Sequence, residues 1–330
     1  NMAEINLGDF PFYGGVATDD LSIYLGNNKF FRLVSQRDND STIGVMYECS
    51  DVFDNNAPTT QICSEVLYPG IAHTNFKMTL LGDGRIAILA KRYSTNNYYG
   101  FTVQYDDVNN TFIKSDITYL NSSSLNSSGS NEITLQPYDQ NTVFVLATDP
   151  YYFCEFMKIT FGDPINVETI RLTNSSTIFD SFNGYGSTHK ISIIDDNIYL
   201  RKTAYNYGYD YVYNITSNTI NPNILSNYPS ICKLAENKYA IVRYKDNTAE
   251  LEYSLVTSLP DRDTIQSAQY SSFIPVIKSI SNINNDASRV LETFALDDQH
   301  LIIFDKAGYQ NQAVDENIYA RVVKIVDGNY

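Results

Sequence analysis

The chain has 330 residues, 43% hydrophobic and 18% charged, enough for two or three ordinary domains or one large repeat array. The formal net charge is −15. This argues against a nucleic-acid partner or an anionic membrane, both of which require Lys/Arg patches. No run approaches eighteen apolar residues, so no transmembrane helix is expected, and Asn1-Met2-Ala3-Glu4 lacks the charged and apolar regions of a signal peptide.

Tyr (27) and Phe (17) are abundant, Trp is absent, and Asn, Ser and Thr dominate the polar residues. This composition suits strands and turns. The best-formed stretch is Leu81-Gly82-Asp83-Gly84-Arg85-Ile86, which lies between two apolar runs and reads as a β-hairpin with a glycine for positive φ. In chain order its relatives are Leu25-Gly26-Asn27-Asn28-Lys29-Phe30, Tyr138-Asp139-Gln140-Asn141-Thr142-Val143, Ile194-Asp195-Asp196-Asn197-Ile198-Tyr199, Leu234-Ala235-Glu236-Asn237-Lys238-Tyr239 and Leu296-Asp297-Asp298-Gln299-His300-Leu301. The fourth place holds Asn or Gly in every copy except at Gln299, and these residues tolerate the left-handed conformation.

The fourth places are spaced by 56, 57, 56, 40 and 62 residues. A third strand is predicted after each hairpin, at 43–49, 101–105, 153–160, 209–215, 251–256 and 318–326. A fourth follows in the first five units, at 61–67, 111–119, 166–172, 219–225 and 264–270. Four strands per unit at this spacing is the pattern of a propeller blade. The sixth unit stops before its fourth strand, and Ala3-Glu4-Ile5-Asn6-Leu7 is the candidate to supply it. The expectation is an all-β fold: a single six-bladed β-propeller domain of four-stranded antiparallel blades over 1–330. Its blades fall at 20–68, 75–120, 131–173, 188–226, 229–271 and 288–327, the last completed by 3–8. Two stacked β-sandwiches are the alternative, but no compositional break separates two halves.

Cys49 and Cys63 flank the turn between the third and fourth strands of the first unit. A disulfide and a pair of reduced thiols are both compatible with that, the second preferred because Cys154 and Cys232 are lone. The stretch 121–131 is Ser/Asn-rich and is expected to be a flexible loop, with Asn-X-Ser triplets at Asn121 and Asn126 that its composition explains. Ile277, Ile280 and Ile283 recur every three residues within 273–287, which would suit a short helical element.

Asp195-Asp196 and Asp297-Asp298 invite a glycosidase interpretation, but they recur in the repeated turn and are read as turn-formers. Asp38-Asn39-Asp40-Ser41 and Asp261-Arg262-Asp263 lack the full calcium-loop pattern, and no metal or other cofactor is expected. His73, His189 and His300 have no paired spacing. No nucleophile elbow, zinc-protease motif, phosphate loop or dinucleotide fingerprint occurs, so no catalytic residue is assigned.

The positive signal lies in the connections between second and third strands and between units, which a propeller places on one face. Tyr93, Tyr98, Tyr99, Tyr151, Tyr152, Tyr185, Tyr205, Tyr207, Tyr244 and Tyr309 fall there, with Asn96, Asn97, Asn183, Asn206, Asn247 and Asn311. Tyr with Asn, Ser and Gly makes an adaptable binding surface. The candidate ligand-binding set is Tyr93, Asn96, Asn97, Tyr98, Tyr99, Tyr151, Tyr152, Tyr185, Tyr205, Tyr207, Tyr244 and Tyr309.

On its repeat geometry the whole chain resembles the six-bladed β-propellers, although the Ser-x-Asp-x-Gly-x-Thr-Trp box of the sialidases among them is absent. Its Asn/Ser/Tyr-rich strands and degenerate blades also resemble propeller domains of phage tail and receptor-binding proteins. That resemblance implies a virion or extracellular protein whose partner is a glycan or protein on a cell surface, or another virion protein, with no membrane insertion. A carbohydrate-active enzyme with a site at the central mouth and an intracellular protein-interaction scaffold are the alternatives.

Overall fold

The computed structural model describes residues 22–36, 40–51, 57–95, 97–126, 132–148, 154–173, 188–203, 209–224, 230–244, 251–258, 274–277, 289–307 and 319–325. The fold is all-β. Among the described residues, no helix is long and apolar enough to cross a membrane. The chain divides into two compact units, Asn1–Phe179 and Asp180–Tyr330.

Unit one holds three antiparallel meander sheets. The first is β1 (Ser22–Gly26), β2 (Lys29–Gln36), β3 (Ser41–Cys49) and β4 (Thr59–Tyr68). The second is β5 (His73–Leu80), β6 (Ile86–Arg92), β7 (Tyr98–Asp106) and β8 (Thr111–Lys114), and β9 (Thr118–Tyr119) also pairs with β7. The third is β10 (Glu132–Pro137), β11 (Thr142–Thr148), β12 (Cys154–Thr160) and β13 (Asn166–Thr173). The sheets stack face to face, and β5 lies beside both β1 and β10. Ile86, Ile88 and Ala90 pack toward the first sheet with Phe31, Leu33 and Met46. Ala87 and Leu89 pack toward the third with Val143, Val145 and Met157. Burial on both faces explains why β6 reads as a continuous apolar run rather than an alternation.

Unit two repeats the plan. Its first sheet is β14 (Thr188–Ile194), β15 (Asn197–Thr203), β16 (Tyr209–Asn214) and β17 (Thr219–Ile224). Next come β18 (Ser230–Ala235), β19 (Lys238–Tyr244), β20 (Leu251–Val256) and β21 (Ile274–Ile277). The last sheet has three strands, β22 (Arg289–Ala295), β23 (His300–Ala307) and β24 (Tyr319–Lys324). Ala240 and Val242 of β19 join Leu301 and Ile303, while Tyr239 joins Ile194 and Tyr199. The sheets are therefore of propeller-blade type in order and stacking. The proposed closing strand 3–7 lies outside the described residues.

The fourth strand of the fifth sheet is Ile274–Ile277, whereas the strand expected at 264–270, and Ile280 and Ile283 of the suggested helical element, lie outside the described residues. Ile, Val and Ile favour extended backbone, and an edge strand tolerates the missing N–H of Pro275. Segment 111–119 is split into β8 and β9 rather than one strand. Cys63 lies opposite Met46 and Cys49 opposite Thr59, so the two thiols are not cross-strand partners, and both are free.

The six turns use two chemistries. Positive φ occurs at the fourth place at Asn28 (61°), Gly84 (86°) and Asn237 (53°). In those three copies the fifth residue is a cation that reaches the next sheet. Lys29 pairs with Asp107, Arg85 donates to Phe161 O (3.0 Å), Gln140 O (3.3 Å) and Asn141 Oδ1, and Lys238 donates to Asp298 O (2.9 Å). The other copies depart from the expected left-handed fourth residue because an Asp shapes the turn. Asp139 accepts the N–H groups of Asn141 (2.8 Å) and Thr142 (2.7 Å), and Asp297 accepts that of Gln299 (2.8 Å). In the fourth copy the left-handed residue is Asp195 (50°), two places earlier than expected.

Candidate functional site

Among the described residues, the predicted recognition face is represented by the tyrosine-bearing end of the second sheet. β6 and β7 are joined by a tight connection in which the Arg92 N–H donates to Asn97 O (2.8 Å) and the Tyr93 N–H to Ala72 O (3.1 Å). Tyr93 therefore stands at the strand end, 54% exposed. Tyr98 and Tyr99 were expected in the connection but are the first residues of β7. Alternation along a strand sends them to opposite faces. Tyr98 is 1% exposed and packs in the core between the second and third sheets, so its ring belongs to that core and not to a binding surface. Tyr99 is half-buried and packs edge-on to Tyr119 at 5.7 Å, its cross-strand partner on β9.

Tyr119 is 45% exposed and was not among the residues singled out in the sequence. Its signal was weak: it sat within a predicted fourth strand, and only the break between β8 and β9 turns it to this end. Asn126 fixes it. The Asn126 amide donates to Tyr119 Oη (3.2 Å), Leu120 O (2.7 Å) and Ser122 O (2.8 Å), while its carbonyl oxygen accepts the Tyr98 N–H (2.8 Å).

The stretch expected to be a flexible loop is, over 121–126, a packed cap. Leu125 is buried in the core, and Glu155 of β12, 4% exposed, gathers the serines. Its carboxylate accepts hydrogen bonds from Ser122 Oγ, Ser123 Oγ (3.0 Å) and the Ser124 N–H (2.9 Å). Ser122 Oγ also accepts the Leu125 N–H (3.1 Å). A buried carboxylate supplied with three donors satisfies the polar atoms of a segment whose composition alone suggested solvent.

Asn97 is half-buried in the β6–β7 connection, and Tyr244 ends β19. Asn96, Tyr151, Tyr152, Tyr185, Tyr205, Tyr207 and Tyr309 lie outside the described residues, as do the calcium-like residues Asp38, Asn39, Asp261, Arg262 and Asp263. Among the described residues, no group of three His, Cys, Asp or Glu side chains is placed to hold a metal ion.

The acidic turn residues at the opposite strand ends are occupied by structure. Asp195 pairs with Lys233 Nζ (2.7 Å) and accepts the Tyr239 hydroxyl (2.9 Å). The Lys233 hydrogen bond is the main cause that holds its carboxyl below the ordinary range. For Asp297 the Gln299 N–H, followed by His300, has the same effect. A general acid needs the opposite shift, toward neutral pH.

No family model matches the sequence, and no curated protein matches it. Solved structures resemble it in shape. A mutant of AofleA from Arthrobotrys oligospora is 10% identical and covers 92% of this chain and 86% of its own at a TM-score of 0.43. YCF48 from Cyanidioschyzon merolae is 10% identical, with 94% and 85% covered and a TM-score of 0.42. The SapL1 lectin, solved in complex with alpha methyl fucoside, is 6% identical, with 92% and 94% covered and a TM-score of 0.39.

Proposed function

We propose that the chain is a non-catalytic recognition or structural propeller that binds through the tyrosine-bearing strand ends. The observation that carries this reading is the set Tyr93, Tyr99 and Tyr119 at one end of the second sheet, with Tyr119 held by Asn126 and the cap beneath it held by Glu155. Rigid tyrosines beside amide groups give contact area and hydrogen bonds at low entropic cost. Glu155, the carboxylate beneath this end, commits both oxygens to the cap. In this reading the sequence repeat corresponds to six blades, the segment 3–7 completes the last of them, and the protein acts in a virion or outside the cell. Its target is a surface glycan or protein.

The test is binding to a glycan array and to candidate host cells by the wild type, Tyr93→Ala/Tyr99→Ala and Tyr119→Ala, with folding checked by circular dichroism. Loss of ten-fold or more in affinity is expected for the folded variants. Unchanged binding by both would move the site away from this end.

A further inference from the structure

The joint between the first two sheets contains a buried histidine that the recognition reading does not use. His73 opens β5 directly after the short linker from β4, and its ring is 0% exposed. Its Nδ1 lies 2.9 Å from Thr42 Oγ1 of β3. The Thr42 hydroxyl donates its own proton to Ile71 O in the linker (2.9 Å), so its lone pair is what faces the ring. The proton therefore sits on Nδ1, and Nε2 is a buried lone pair with no hydrogen-bond partner among the described residues. Thr42, His73 and the linker carbonyl thus form one lock across the joint.

Rings close the rest of the site: Phe101 at 5.4 Å, Tyr68 at 6.3 Å and Tyr99 at 6.3 Å. From β3 the facing group is the uncharged Thr42. From β4 it is Tyr68, whose hydroxyl donates to Ser115 O (2.7 Å) and is kept neutral by burial and by Asp116. From β6 it is the cation Arg92, the cross-strand partner, and from β7 it is Tyr99. A proton added at Nε2 would meet a dry aromatic wall and a like charge.

We propose that this joint is an acid-operated release. A proton taken up at His73 Nε2 leaves the Nδ1–H bond to Thr42 intact but puts a charge in a dry aromatic site beside Arg92. The joint therefore opens to hydrate the ring, the Thr42–His73–Ile71 lock parts, and Tyr99, with Tyr119, shifts at the recognition end. Burial first and the Arg92 charge second hold His73 down from the ordinary 6.5 to about 4. A base with a depressed value in the closed state binds fewer protons there than in the open state. The closed state is therefore fully favoured above 6.5 and loses its advantage as pH falls from 6.5 toward 4. For those two values the open population rises about 20-fold between pH 7 and pH 5.

The experiment uses the full chain. Hydrogen exchange of peptides spanning 68–76, corrected for the intrinsic pH dependence of exchange, is compared at pH 7 and pH 5 for wild type and His73→Asn, which keeps a neutral donor toward Thr42. About a 20-fold rise in opening is expected for the wild type and less than three-fold for the variant. Equal responses, or a wild-type response below three-fold, overturn the proposal. Should His73→Asn fail to fold, NMR of ¹³C-histidine-labelled wild type decides. A His73 resonance that stays neutral to about pH 4 supports the release, and titration near 6.5 overturns it.

Discussion

Replacing Glu155 by Ala removes the acceptor of three hydrogen bonds in a site where Glu155, Ser122 and Ser124 are all buried. A hydrogen bond to a charged group contributes about 1.5–3 kcal/mol net, and bonds to one carboxylate are not additive. The expected loss is therefore about 4 kcal/mol for unit one, short of the simple sum. In urea, at a slope of about 2–3 kcal/mol per molar, that lowers the midpoint by roughly 1–2 M. Glu155→Gln can keep its oxygen toward Ser122 Oγ and the Ser124 N–H and turn its amide donor toward Ser123, whose hydroxyl can accept. It loses the charge but not the acceptor, and its loss should be about half as large. Hydrogen exchange should localise the effect to 120–126, and Tyr119 should lose its fixed position with Asn126. A midpoint for Glu155→Ala within about 0.2 M of wild type would refute the clamp. So would equal damage from Ala and Gln, because the argument rests on acceptor number and charge and not on packing.

Tyr98→Ala and Tyr93→Ala separate core from surface: thermal melts should show about 3–5 kcal/mol lost for the first and less than about 0.5 kcal/mol for the second. Arg85→Met removes the ties to Phe161 O, Gln140 O and Asn141 and should cost about 1–2 kcal/mol, with Arg85→Lys restoring only part because a point charge cannot replace the fork. Gly84→Ala places a side chain at φ 86° and should cost about 1–2 kcal/mol in a urea titration, although Gln104 Nε2 at 3.8 Å leaves the added methyl room. A neutral result there would show that the turn relaxes.

The cations at the fifth place of the turn show how a repeat can carry more than its outline. Lys29, Arg85 and Lys238 follow the three left-handed residues Asn28, Gly84 and Asn237, and each reaches the neighbouring sheet. The pairing of a left-handed residue with a following cation was present in the residues all along. Its partner is absent from the local sequence: Asp107 lies 78 residues from Lys29, and Phe161 lies 76 from Arg85. The remaining turns, built on Asp139, Asp195 and Asp297, show the carboxylates as structural acceptors or ion-pair partners.

What the residues determined by themselves was local: the hairpins, most strand positions, and the all-β class. Turn chemistry and alternation act over a few neighbours and leave their mark in the order of side chains. Tertiary structure decided the rest. Tyr98 and Tyr99 are chemically identical and adjacent, and only the extension of β7 to Tyr98 sends one ring into the core and leaves the other at the rim. The Ser-rich stretch reads as solvent-facing until Glu155, about thirty positions on, supplies the acceptor that lets its first half be buried. Segment 274–277 is not marked as a strand by its residues alone, and only the open edge of β20 gives its backbone a partner. In each case the deciding group is distant along the chain, and burial turns a weak local preference into a single arrangement.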